Sequence, residues 1–236
     1  MAPKLPIPPR PGQYLYDTHV HTSEVSPCAR VPAREVVRLH QEAGYAGIVI
    51  TDHYNDWTFE TFGLKTWSRI VDRYRVGYET AKEEGDRLGL VVLPGLELTV
   101  TKTGYTDFLL LGLEPDFLYN YPYLYEIGIQ GIRTLLPSDS LYVIQAHPFR
   151  LGVQVADPSL LDAVETYNGG NEAGENPPAE AFAQRHGKRK TSGTDFHHAT
   201  SIGRGGMWLP ERVEDVPALI RVLRSDAELP LRKTVP

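Results

Sequence analysis

The run Gly47-Ile-Val-Ile-Thr-Asp52-His53 is apolar until its last residues, where a carboxylate and an imidazole stand together. Its β-branched residues suit a strand covered on both faces, as parallel strands under helices are. Upstream, Pro32–Ala43 reads as a helix that opens on a proline and stops at Gly44, the Pro-first, Gly-last asymmetry of helix ends. Downstream, Thr66–Leu88 is a long charged helical pattern terminated by Gly89. The same alternation then recurs along the chain. Strand candidates are Tyr14–Val20, Gly47–Thr51, Leu90–Pro94, Phe108–Leu113, Leu141–Ala146, Ala163–Tyr167 and Lys190–Thr194, with Gly205–Pro210 a further short one. Pro178–His186 and Val216–Leu223 are additional helices, while Leu118–Leu135 fits neither period. Strands and helices alternating in this number indicate a closed parallel barrel or a doubly wound sheet.

Composition bounds the rest. The chain of 236 residues is 41% hydrophobic and 23% charged, which is globular rather than disordered. That length suits a single α/β barrel domain, 1–236, preceded by an extended arm over residues 1–12, where five of the first 11 residues are proline. The start lacks the apolar segment of a secretory signal. The densest apolar run, Phe108–Leu113, falls far short of the ~18 residues that a spanning helix needs. The single cysteine, Cys28, excludes an internal disulfide and fits a reducing, cytoplasmic location. A net charge of −6 argues against sequence-independent nucleic-acid binding. Oligomeric state is not readable.

Of eight histidines, six lie at or just past the end of a strand candidate: His19, His21, His53, His147, His197 and His198. His40 and His186 sit within helical patterns instead. In an α/β barrel the C-terminal strand ends converge on one mouth, so this placement points to an active site. Five motifs carry it: Asp17-Thr-His19-Val-His21, Thr51-Asp52-His53, Gly95-Leu-Glu97, Ala146-His147-Pro and Ser192-Gly-Thr-Asp195-Phe-His197. Residues two apart in a strand share a face, so His19 and His21 can reach one ion, and Asp17 is placed to hold an imidazole from behind. No nucleophile elbow, Walker loop or dinucleotide fingerprint is present, which leaves the chemistry to the imidazoles and carboxylates. Such a donor set suits Zn, Mn or Fe. Seven to nine ligands exceed what one ion takes, so two or three divalent ions are expected.

The ordered set H-x-H, T-D-H, G-x-E, A-H-P and S-G-T-D-x-H, from residue 19 to 197, resembles the PHP (polymerase and histidinol phosphatase) superfamily. The resemblance implies a distorted (β/α)7 barrel of TIM-like type and a metal-dependent phosphoesterase, in which a metal-bridging hydroxide hydrolyses a small phosphorylated substrate. It implies that His19, His21, Glu97 and Asp195 hold one ion, that Glu97 bridges to an ion held also by His147, and that His53 and His197 hold the remaining one. Catalytic roles would fall to Glu97, Asp52 and Asp195. Two positions depart from the pattern. Where members carry a histidine or aspartate after H-x-H, Glu24 is the first substitute and Cys28 the second. Asp107 stands where a histidine is common, as an oxygen ligand. Arg150 and Arg204 follow motifs closely and are candidates for binding phosphate bidentately. Aromatic residues at 54–67 and 119–125 are candidates for a wall near the mouth. Alternatives are another barrel hydrolase acting on a C–N or C–O bond, and a catalytically weak regulatory or binding module on the same scaffold.

Overall fold

The computed structural model describes residues 5–102, 104–137 and 139–234. Residues 1–4 of the expected arm lie outside this set. The rest of the arm is anchored: Ile7 is buried and its N–H donates to Ala43 O at 2.8 Å.

Strand β1 (Tyr14–Val20) leads through helix α1 (Ala33–Ala43) to β2 (Gly47–Ile50) and the two-residue β3 (His53–Tyr54). Helices α2 (Asp56–Thr61) and α3 (Trp67–Leu88) follow, then β4 (Val91–Pro94), β5 (Leu96–Val100) and β6 (Thr106–Leu111). After α4 (Phe117–Asn120) and α5 (Leu124–Leu135) come β7 (Tyr142–Gln145), β8 (Ala163–Asn168), α6 (Asn176–Arg185), β9 (Arg189–Gly193), β10 (Met207–Leu209) and α7 (Val216–Arg224). All seven expected strands are present within a few residues. Two more, β3 and β5, lie outside the strand candidates, and the further short strand expected at Gly205–Pro210 is β10. The stretch Leu118–Leu135, which fits neither period in the sequence, holds most of α4 and all of α5, and α5 is broken at Gly128, whose φ of 64° is left-handed.

The described strands form two sheets, β10-β1-β2-β4 and β3-β5-β6-β7-β8-β9. The expectation of parallel strands throughout is corrected at β6, which runs antiparallel to both β5 and β7. The reason is the connection. Residues 101–105 join β5 to β6, and a parallel return needs a crossover of roughly a dozen residues or more. A hairpin is all that fits. The short β10 also pairs antiparallel with β1.

The sheets meet along both margins. β2 and β4 run on into β3 and β5, where Gly95 N–H donates to Ile50 O at 2.9 Å and Glu97 N–H to Asp52 O at 3.1 Å. On the other side Val20 bridges Phe196 in parallel register. Gly193 makes that approach possible, since a Cβ there would lie 2.4 Å from His19 Cβ.

Apolar side chains fill the space between sheets and helices. Leu96, Leu98, Leu110 and Val143 pack with Ile70 and Ile132, while Val36, Val37 and Ala81 cover Ile48 and Ile50. On a third face, Leu219 and Leu223 of α7 lie over Leu111 and Ile144. Burying each such side chain contributes about 1.5–3 kcal/mol, so the strand ends sit on rigid supports. No helix among the described residues is long and apolar enough to cross a membrane.

Candidate metal centre

The two margins bring the five motifs together. His53 pairs across β3 and β5 with Glu97, and His19 is bonded through its backbone to Phe196, beside Asp195 and His197. Four overlapping groups result, each with its ligand atoms within 4.8 Å of one another: His19, His21 and Glu97; His19, His147 and Asp195; Glu97, Asp107 and His147; and His21, His53 and His197. His19, His21 and Glu97 are completely buried, and Asp195, His147 and Asp107 nearly so.

The contacts are close but are not hydrogen bonds. His19 Nε2 lies 3.3 Å from both Glu97 Oε1 and Asp195 Oδ1. His21 Nε2 is 3.3 Å from Asp195 Oδ1 and 3.5 Å from Glu97 Oε2. His53 Nδ1 approaches Glu97 Oε2 at 2.7 Å. Even so, His19 Nε2, His21 Nε2, His53 Nδ1, Glu97 Oε2 and His147 Nδ1 are buried polar atoms without a hydrogen-bond partner. Leaving one buried polar atom unsatisfied costs about 1–3 kcal/mol. Of the five, His19 Nε2, His21 Nε2 and His53 Nδ1 surround the Glu97 carboxylate, a donor set that fits divalent cations. His147 and Asp195 also adopt left-handed backbone, with φ of 29° and 52°. For residues other than glycine this costs about 1–3 kcal/mol each, and it falls on two of the candidate ligands.

Electrostatics follow from the crowding. Burial opposes a charged His19, but Glu165, Asp195 and Glu97 outweigh it and hold the imidazole well above its usual pKa. His21 goes the other way, well below, through burial and the neighbouring His197 and His53. Burial disfavours ionised Glu97 and Asp195, yet the surrounding imidazoles keep both far below the carboxylate range. Asp107 is raised to about 6, by burial and by Glu97. The cluster is a set of buried carboxylates kept charged by the imidazoles around them.

Tautomers are set from behind. His19 Nδ1 lies 3.1 Å from Glu165 Oε1, the only acceptor type there, so Nδ1 carries the proton and Nε2 is free to ligate. Glu165 also accepts from His147 N–H at 3.1 Å and from Asn168 Nδ2 at 2.8 Å. Ser26 Oγ donates to Asp52 Oδ1 at 2.7 Å and so accepts from His21 Nδ1 at 3.1 Å. His197 Nδ1 donates to the Asp195 carbonyl at 3.0 Å.

The structure relocates several residues. Asp52, expected among the catalytic groups, lies behind the cluster. Its oxygens are filled by Thr22 N–H, Thr22 Oγ and Ser26 Oγ, each at 2.7 Å, so it positions His21 through Ser26. Asp17 holds no imidazole of the cluster. It accepts from His40 Nε2 at 3.2 Å and from Thr194 N–H at 2.9 Å, tying β1 to the segment after β9. Glu24 is not brought into the set either, since both of its oxygens accept the Ala33 N–H at 2.9–3.0 Å. It caps α1, where Pro32 has no side-chain acceptor to offer. Cys28 stands closer in, with Sγ 3.1 Å from His197 Nε2. Asp107 is in place, steadied by Thr99 Oγ at 2.7 Å.

Arg150 reaches the cluster edge, donating to Asp195 Oδ2 at 2.7 Å and to Asn171 Oδ1 at 2.8 Å. The Arg204 guanidinium forms no ion pair among the described residues. Of the aromatic stretches, Tyr54 and Phe59 are buried core, while Trp57, Tyr121 and Tyr123 are exposed.

Glu165 was missed by the sequence reading. Its role gives a direct expectation: Glu165→Gln places an amide NH2 against donors and is expected to weaken metal binding about 10–100-fold with the fold intact. Competition with a chromogenic chelator measures this, and unchanged affinity would free His19 from Glu165.

Fold and site together define an α/β protein with a candidate metal centre. The PHP-associated family model matches residues 173–227. A search of curated protein sequences gives no match. Among solved structures, a two-domain protein from Bacteroides vulgatus containing a predicted PHP-like metal-dependent phosphoesterase superposes with a TM-score of 0.64 at 14% identity, over 92% of this chain and 64% of that one. This chain thus spans just under two thirds of that relative. PsfC from Pseudomonas syringae gives 0.64 at 18% identity, over 94% of this chain and 92% of its own. A provisionally assigned metal-dependent phosphoesterase from Bifidobacterium adolescentis gives 0.52 at 16% identity, over 88% and 95%. The family match is confined to residues 173–227, and the superpositions show that the fold is shared with these PHP-like proteins.

Proposed function

We propose that this chain is a metal-dependent phosphoesterase with a two- or three-ion centre. The observation that carries the reading is the gathering of the unpartnered His19 Nε2, His21 Nε2 and His53 Nδ1 around the buried Glu97 carboxylate, with a guanidinium at the edge of the cluster. His19, His21, Glu97 and Asp195 would hold one ion, Glu97, His147 and Asp107 a second, and His53 and His197 a third. Such ions supply Lewis acidity toward phosphoryl oxygens and activate water near neutral pH.

The chain's own residues do the rest. Glu97 reaches toward both the His19–His21 and the His147 groups and sets their spacing. Arg150, about a third exposed while paired to Asp195, is positioned to turn its fork to a phosphate, a bidentate match for that anion. Arg204 would be the second phosphate ligand. The substrate is a small phosphorylated molecule, and the two linked sheets are the parts of a distorted seven-stranded barrel.

The test is reconstitution with Zn, Mn or Fe, elemental analysis, and a panel of phosphoesters. Two to three equivalents per chain and turnover of at least one ester are expected. Less than one equivalent after careful loading would overturn the reading.

A further inference from the structure

We infer that Cys28 is a thiolate ligand of the third ion, so that this site is a sulfur-containing, soft-metal site while the other two use only nitrogen and oxygen. The inference rests on the metal-centre reading above and assigns its incomplete corner.

His53 and His197 supply two donors there, and an ion of tetrahedral preference needs more. Glu24, the residue nearest in type, has both oxygens on the Ala33 N–H. Cys28 Sγ instead stands 3.1 Å from His197 Nε2, and His197 Nδ1 is turned away onto the Asp195 carbonyl. His53 lies against the same sulfur. A second observation points to a ligand independently. His21 is fully buried, its Nε2 has no hydrogen-bond partner, and that donor set lies within 4.8 Å of the His53 and His197 ligand atoms. Its ring centroid is 4.5 Å from that of His53 and 4.2 Å from that of His197. A buried lone pair and a sulfur therefore face the same two imidazoles.

The segment bearing Cys28 is fixed on both sides. Ala29 N–H donates to Ser26 O at 3.0 Å, and Arg30 N–H to His197 O at 2.8 Å. The second bond ties the Cys28 segment directly to the other ligand's backbone. Thiolate favours zinc, iron and cobalt over manganese and magnesium. The third site should thus discriminate between metals that the carboxylate-rich sites accept more evenly.

Cobalt titration of metal-free protein tests this. Cys28 is the only cysteine, so a thiolate-to-cobalt charge-transfer band in the near ultraviolet has one possible source. The band is expected to saturate at one equivalent of the total bound. Cys28→Ser should abolish it and release one equivalent of zinc on dialysis against a mild chelator, while Glu24→Gln leaves band and zinc unchanged. Cys28→Asp should recover the equivalent without the band and raise manganese occupancy relative to zinc. In unmutated protein, zinc should slow alkylation of Cys28 at least tenfold, a readout that needs no variant to fold. Cobalt bound with ligand-field absorption but no sulfur band would overturn the Cys28 assignment and leave the metal centre standing. Cobalt failing to bind at all would overturn both.

Discussion

Glu97→Gln is expected to lower phosphoester turnover by about 1000-fold or more, equivalent to ~4 kcal/mol of transition-state stabilisation. Glu97 Oε1 is 3.3 Å from His19 Nε2 and 3.0 Å from His147 Nε2, while Oε2 is 2.7 Å from His53 Nδ1. No other carboxylate touches all three imidazoles. The amide keeps the shape of the side chain but removes the charge that would hold two ions in the proposed centre, and its NH2 would point at a cation. Folding should survive, because Glu97 lies on β5 with its backbone ladder to Leu109 intact. The measurement is steady-state turnover with metal content determined on the same sample, and with the far-ultraviolet circular dichroism compared. Turnover within threefold of the unmutated enzyme would remove Glu97 from the centre. An unfolded variant is distinguished by its spectrum.

Much of this centre was legible in the sequence because strand and ligand signals coincide. At Ile48–Ile50 and Val143–Ala146 an apolar run gives way to an imidazole, and burial on both faces leaves the polar residue only the strand end. The order of motifs then fixed which ends meet. Glu165 was hidden because it sits mid-strand in Ala163-Val-Glu165-Thr-Tyr, where attention falls on the strand rather than its exception. A carboxylate inside an otherwise buried strand was itself the signal, since such a group is kept only when it is paired. The antiparallel β6 was hidden by Pro94-Gly95, which reads as a terminator. In fact the chain resumes a strand at once, and the five-residue hairpin that follows dictates direction.

Glu24 and Cys28 show a different limit. Both lie in one loop, four residues apart, and composition favours the carboxylate as ligand. What decides between them is the helix that begins at Ala33. Its N-terminal N–H groups need an acceptor, Pro32 cannot provide one, and Glu24 is the group that reaches. The competing demand was local helix chemistry, visible only once the loop is folded.

Asp195→Asn and His197→Ala should both depress turnover by orders of magnitude yet remove different ions. Asp195 Oδ1 lies 3.3 Å from His19 Nε2 and equally far from His21 Nε2, so in the proposed centre its charge would serve the ion those imidazoles share. Asparagine tolerates the left-handed backbone that position 195 adopts, at φ 52°. The substitution therefore removes charge with little added strain, though Arg150 loses its carboxylate partner. His197 faces Cys28, and its ring is tilted against that of His53 at 5.6 Å between centroids. Its loss should deplete the ion held there and leave the His19–His21 ion in place. Cobalt loading separates the two cases: the sulfur charge-transfer band should persist in Asp195→Asn and vanish in His197→Ala. His198 is exposed and belongs to none of the donor groups, so His198→Ala should keep metal content and turnover near those of the unmutated protein. Metal loss in His198→Ala with retention in His197→Ala would show that the ligand is the next residue along, and the segment after β9 would have to be rebuilt by one position.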